Sequence, residues 1–296
     1  MKRPYIFAIL IVCTMAFVGC NNKKADVELT DAQKLEALDL KIERNPKNAD
    51  LLAARARVLL NLHRTQEAMF DITRAVDLKP DEAEYRLLQA DIHFASGDAN
   101  SCYKALGEAE RLDPDSKEVQ LKMGEVTFYQ HDYERSLRHL TKVTEQEPDN
   151  RTALSLKAFI YKEQGDTANA VVLLRKVCDI YPDYAPAFET LGVLYAARQN
   201  PMAVEYLSTA MRLDPSNTNI LYAMGMYYQD IKEYDEAERY YHQMLDINPN
   251  SSDAWNNLGY IALAKGDEAR AAELFDKALE ADPNNEYAIK NRELVK

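Results

Sequence analysis

The residues that could do chemistry in this chain are its five histidines, its four cysteines and its 48 acidic side chains, and their spacing assembles no reaction centre. His131 and His139 come closest to a ligand pair. They stand eight residues apart, and the Asp132–Tyr133 stretch between them reads as a turn, so they miss the i, i+4 spacing that puts two imidazoles on one helix face. His63 falls in a turn as well, His93 at a core-facing position, and His242 is isolated. No GxxxxGK[ST] loop offers backbone N–H groups to a phosphate, and no HExxH, GxSxG or CxxC occurs. Cys13 and Cys20 lie near the N-terminus, while Cys102 and Cys178 stand far apart in the body of the chain. An enzyme, a metal site and a bound cofactor are therefore not expected. A hydrolase would require perturbed carboxylates in a closed pocket, and no carboxylate is singled out by its neighbours.

What must position any functional side chain is a repeating frame. Pro46, Pro80, Pro114, Pro148, Pro182, Pro215, Pro249 and Pro283 recur at intervals of 34 residues, with one interval of 33 between Pro182 and Pro215. A fixed period of this length means one supersecondary unit copied along the chain. Each unit holds two apolar patterns of helical period. In one copy Leu221, Met224, Gly225 and Tyr228 form the first and Ala237, Tyr241 and Met244 the second. The proline stops the second helix, because the residue before it is pushed out of helical geometry.

The copies agree in residue size. The middle of each first helix carries a small residue: Ala56, Ala90, Gly124, Ala158, Gly192, Gly225 and Gly259. Near the start of each second helix stands another: Ala68, Cys102, Ser136, Ala170, Ala203, Ala237 and Ala271. Four residues later comes a large one: Ile72, Leu106, Leu140, Leu174, Leu207, Tyr241 and Phe275. Gly97-Asp98, Gly165-Asp166 and Gly266-Asp267 read as turns in which glycine ends one helix and aspartate caps the next. Asn200-Pro201 serves the short copy.

These features make the chain resemble a tetratricopeptide repeat array over seven repeats, residues 49–285. The resemblance implies an all-α fold, a right-handed superhelix of helix-turn-helix repeats. The copy SDAWNNLGYIALAKGDEARAAELFDKALEADPNN holds nearly every residue of the pattern. Arg55, Gln89 and Lys157 depart from it at apolar positions, and His93 and Thr127 at tyrosine positions. Nearest-neighbour stacking keeps Cys102 and Cys178 apart as unpaired thiols. Thr30 and Gln33 have the spacing of a capping box. They open an N-terminal capping helix within residues 29–48, and residues 286–296 form a C-terminal capping helix.

Residues 1–19 have a secretory pattern. Lys2-Arg3 precedes an apolar run from Tyr5 to Val18, then Gly19-Cys20. Phe17-Val18-Gly19-Cys20 resembles a bacterial lipobox, with Phe17 where leucine is commoner. That resemblance implies a lipid-modified Cys20, a polar tether over residues 20–28, and a bacterial cell-envelope location, outer membrane facing the periplasm, where Asn21 follows the cysteine. An ordinary cleaved signal or an uncleaved anchor is the alternative. Several acyl chains give stable anchoring where one is marginal. The formal net charge is −12, and −14 without Lys2 and Arg3. Acidity spread along both halves excludes nucleic acid as a partner and leaves the lipid as the only membrane contact.

The resemblance also implies a concave groove lined by the first helix of each repeat. The positions that carry over are Leu87, Asp91, Phe94, Leu121, Glu125, Phe128 and Tyr129, then Phe159 and Lys162, then Tyr222, Met226, Gln229, Asn256 and Tyr260. Aromatics in a groove offer much buried area at low entropic cost, although each ring could instead pack on the next repeat. Only Arg57 and Asn61 approach the carboxylate clamp of chaperone-binding relatives, so a cytosolic cochaperone is disfavoured. Tyr227 and Tyr240 stand outside the core pattern and are expected in surface packing. The expected function is a membrane-anchored scaffold that binds a protein or peptide segment in this groove. Its plan resembles lipoproteins of pilus secretin assembly, outer-membrane protein insertion and peptidoglycan hydrolase control. Self-association through the convex face is the alternative, and oligomeric state is left open.

Overall fold

The computed structural model describes residues 29–295. The described residues form α-helices joined by turns, with no strand among them. The chain divides after Leu78 into two compact units. The first holds α1 (Asp31–Arg44), α2 (Ala49–Asn61) and α3 (Thr65–Leu78). The second holds α4 (Ala83–Ala95), α5 (Ala99–Leu112), α6 (Lys117–Tyr129), α7 (Tyr133–Gln146), α8 (Arg151–Glu163) and α9 (Thr167–Ile180). It continues through α10 (Ala185–Ala196), α11 (Met202–Leu213), α12 (Thr218–Asp230), α13 (Tyr234–Ile247), α14 (Ser252–Ala264), α15 (Glu268–Ala281) and α16 (Glu286–Arg292). Helices pair as α2 with α3, α4 with α5, and so on to α14 with α15; within the second unit each pair packs on the next.

The pairing contact is the small-to-large one read from the sequence. A Cβ added to Gly124 would lie 2.6 Å from Leu140 Cδ2, one on Gly225 would lie 2.5 Å from Tyr241 Cε1, and one on Gly259 would lie 2.6 Å from Phe275 Cε1. Where alanine holds the position, the partner is equally buried: Ala56 with Ile72, Ala90 with Leu106, Ala158 with Leu174. Ser136 fits its small slot because its hydroxyl donates to Gly124 O at 2.7 Å.

Every pair turns through one left-handed residue. Gly97, Gly165 and Gly266 supply it at φ +76°, +78° and +86°. His63, His131, Gln199 and Lys232 adopt the same region at +58°, +59°, +51° and +64°. A residue with a Cβ loses roughly 1–2 kcal/mol there, so turn geometry overrides residue preference. The aspartates after the glycines cap as read: Asp98, Asp166 and Asp267 accept from the N–H of Ser101, Asn169 and Arg270. In the short repeat Asn200 Oδ1 accepts from Met202 N–H at 2.9 Å.

The residues that depart from the apolar pattern find polar partners. Arg55 donates through Nε to Asp71 at 2.6 Å and through Nη1 to Asp39 at 2.7 Å, joining three helices of the first unit. Lys157 reaches the hydroxyls of Thr141 and Thr144 at 3.1 and 3.2 Å, and burial lowers the pKa of its ammonium. Gln89 accepts from Arg86 at 3.3 Å, and Thr127 donates to Met123 O at 2.6 Å. Cys102 and Cys178 are free and buried; burial raises the Cys102 pKa and pushes Cys178 up to about 12.

At the ends, Thr30 and Gln33 form the capping box of α1. The last helix is shorter than read. It stops at Arg292 instead of running through residues 286–296, because Arg292 turns to Asp276 at 2.7 Å and to Val295 O at 3.1 Å. That turn buries Val295 against the last repeat. The segment 1–28, with the signal, Cys20 and the tether, lies outside the described residues.

The packing contact makes a direct prediction. Gly225→Leu drives a side chain into the Tyr241 ring and lowers stability by about 1–3 kcal/mol; a urea midpoint equal to that of the parent chain would refute this contact.

Candidate functional site

The groove positions fall on two recurring registers of the first helices, three residues before the small residue and one after it, with further positions a turn beyond. Helical period puts these on one stripe. In the second unit the first register holds Leu87, Leu121, Ser155, Glu189, Tyr222 and Asn256, and the second holds Asp91, Glu125, Phe159, Val193, Met226 and Tyr260.

The structure sorts the expected residues into three groups. Phe94 is 55% exposed and Tyr129 is 68% exposed, and Tyr222 and Tyr260 are also solvent-facing. Each keeps a face to solvent, although Tyr222 also lies 6.5 Å from the Tyr241 ring. Lys162 is exposed and reaches Glu163 at 3.1 Å. A second group is half-buried. Leu87 packs on the cluster around Leu106, and Leu121 and Phe128 pack on Leu140, Val143 and Ile160. Phe128 also meets Tyr129 edge-on at 5.5 Å, so one end of this ring pair is core and the other is surface. Phe159 and Met226 are half-buried as well. Gln229 is half-buried and accepts from the Tyr241 hydroxyl at 3.2 Å. The third group is Asn256 alone, 6% exposed, whose Oδ1 accepts from Asn291 at 2.9 Å. It joins the last repeat to α16.

Asp91 and Glu125 do not face solvent as bare carboxylates. Lys122 lies between them, its Nζ 3.4 Å from Asp91 and 3.2 Å from Glu125. Burial pulls the ammonium down, but the two carboxylates outweigh it and hold its pKa above the ordinary value.

Sequence reading passed over Lys122, Ser155, Glu189 and Tyr287. Ser155 is buried with no hydrogen-bond partner for its hydroxyl. Tyr287 is exposed on α16. Glu189 is half-buried and accepts one hydrogen bond, from Asn217 Nδ2 at 3.0 Å. Burial pushes its carboxyl pKa up, the Asn217 hydrogen bond opposes that, and Asp214 adds to the rise. Its register, three residues before Gly192, was the signal that could have found it.

Tyr227 and Tyr240 correct another expectation. Both are buried, not surface-packed. Tyr228 stacks on Tyr240 at 5.6 Å, with Arg239 over the Tyr240 ring at 4.3 Å. Among the described residues no three His, Cys, Asp or Glu side chains come together to hold a metal ion. No helix there is long and apolar enough to cross a membrane. The arrangement offers contact area, ring faces and a few charges, which is binding chemistry.

Comparison with known proteins agrees with the frame. The tetratricopeptide repeat model matches residues 121–185 and 222–286. The Photosystem I assembly protein Ycf3 of Acaryochloris marina is 32% identical over 28% of this chain, and the chain spans 58% of that protein's length. Among solved structures, YrrB, described as a TPR protein with an unusual peptide-binding site, superposes with a TM-score of 0.54 at 21% identity, covering 64% of this chain and 98% of its own. Pseudomonas aeruginosa pilF superposes with a TM-score of 0.59 at 17% identity over 72% of this chain and 97% of its own. At these identities the two structures speak for the fold.

Glu189 yields a pH prediction. A carboxyl whose pKa is raised by folding binds its proton more tightly in the native state, so stability rises as pH falls through the window just above the ordinary carboxylate range and is lost again above it. Glu189→Gln should therefore melt higher than the parent at pH 7, with the gain shrinking on acidification through that window. Thermal unfolding of both proteins across pH checks it, and a gain independent of pH would contradict the assignment.

Proposed function

The chain belongs to the tetratricopeptide repeat family, and from that premise we propose that it is a membrane-tethered scaffold whose first helices hold a segment of a partner protein. A protein-interaction scaffold is what the repeats make. The observation that carries the groove reading is the set of solvent-facing rings, Phe94, Tyr129, Tyr222 and Tyr260, on the first helices α4, α6, α12 and α14 of one unit. Rings held by a rigid helix bring area to an interface with little entropy left to lose. The word assembly in the name of the Acaryochloris relative and the peptide-binding site of YrrB support this reading. Among the described residues no constellation points to catalysis.

The tether is read from Lys2-Arg3, the apolar run and Cys20. A lipid-modified Cys20 places the repeats in the cell envelope, with the outer membrane facing the periplasm as the proposed site, where the scaffold helps to assemble or regulate a secretion, pilus or outer-membrane complex. Cys20→Ser should move the protein from the membrane to the soluble fraction of cells; retention of the variant in washed membranes would remove lipid as the anchor.

Val172 on α9 and Ile247 on α13 are exposed apolar residues of second helices. They favour self-association as the second reading. Cross-linking in cells followed by affinity purification separates the two. Phe94→Ala with Tyr129→Ala should lose the captured partner at an unchanged melting temperature. Phe128→Ala, by contrast, should lower stability by about 1–3 kcal/mol, less than a fully buried ring would because Phe128 is half-buried. Capture of only the chain itself, by the parent and the double variant alike, would replace the groove reading with self-association.

A further inference from the structure

The carboxylates along the inner stripe are not treated alike. Asp91 and Glu125 have Lys122 between them. Glu189 has no such cation. Among the described residues no lysine or arginine pairs with it or with Asp214. Its one hydrogen bond comes from a neutral amide, Asn217. The charged group close enough to act on it is Asp214, of the same sign, which is itself bonded to the Ser216 hydroxyl. A half-buried carboxylate with a like-charged neighbour is a standing cost in the free protein.

The surroundings of Glu189 are built for contact. It shares its register with Tyr222 on the next first helix, and Val193, one turn further along α10, is exposed. A segment laid along this stripe would cover Glu189 and take away the water that now solvates its outer side. Without a compensating charge that step is unfavourable, because removing solvent from an unpaired ion costs more than ordinary contacts return. With a cation it becomes favourable, and the same residue then rejects neutral and acidic segments.

We infer that the partner segment carries a lysine or arginine that pairs with Glu189, flanked by apolar residues that meet Val193 and Tyr222. The inference rests on the groove reading above and adds the chemistry of the partner to it. The cation that the fold supplies to Asp91 and Glu125 is, at Glu189, supplied from outside.

The test is selection of a random short-peptide library on the full chain held in detergent micelles. Enriched peptides should carry a basic residue among apolar ones. They should bind Glu189→Gln about tenfold or more weakly, and Glu189→Lys should enrich acidic residues at the same peptide position. Glu189→Gln keeps the shape and an acceptor for Asn217, and its melting curve confirms that it is folded. Peptides that depend on Tyr222 but carry no basic residue, or that bind Glu189→Gln as tightly as the parent, would overturn the inference and leave the groove reading standing. If no enriched peptide is weakened by Tyr222→Ala or by Phe94→Ala with Tyr129→Ala, the groove reading fails and the inference falls with it.

Discussion

The contact on which everything else depends is the approach of two helix backbones over a residue with one methyl group or none. Gly124, Gly192, Gly225 and Gly259 leave room that Leu140, Leu207, Tyr241 and Phe275 fill. The helices of a pair are thereby locked in spacing and angle. The inner stripe of the first helix then meets its own partner at some positions, as Leu121 and Phe128 do on Leu140 and Gln229 on Tyr241, and is free at the others for further contacts. Shape is fixed by size complementarity on one side of the helix, and chemistry is free to vary on the other.

That division explains why the chain tolerates polar residues at apolar positions. Arg55, Gln120 and Lys157 lie off the small-to-large contact, and each is satisfied nearby. Gln120 is fully buried and donates to Pro114 O at 2.8 Å. The same duty recurs with other residues: Pro46 O accepts from Arg74, Pro148 O from Lys176 and Pro249 O from the Trp255 indole. At these four proline turns a carbonyl left free finds a donor of whatever type the repeat offers. Backbone need is periodic although the side chains that meet it are not.

The frame was legible in the sequence because it is written locally and many times over. Period, size alternation and caps each need only one repeat, and seven copies confirm one another. The site was legible in position but less so in state. Tyr227 and Tyr240 look like surface residues from their own helices, and it is a neighbouring helix that buries them. Asn256 sits in a groove register, yet α16 covers it. Glu189 could have been placed by register alone, but its lack of a cation depends on which side chains approach from α11 and α12. Lys122 shows the converse, a groove residue whose charge is already spoken for by Asp91 and Glu125. Position is a property of the repeat; exposure and charge state belong to contacts between repeats.

The seven turns carry a last consequence. Three of them place glycine at the left-handed position and four place His63, His131, Gln199 or Lys232 there. A stack of repeats behaves as a one-dimensional lattice, in which the cost of breaking order is set by the units on either side. The turns with a side chain in the left-handed region are the cheaper places to open, and those with glycine are the dearer. Cooperativity is thus segmented. Within the second unit, backbone strain favours opening at the pairs closed by His131, Gln199 and Lys232 over those closed by Gly97, Gly165 and Gly266. A chain built from one motif in this way acquires addresses, so that its repeats differ in when they give way as well as in what they display.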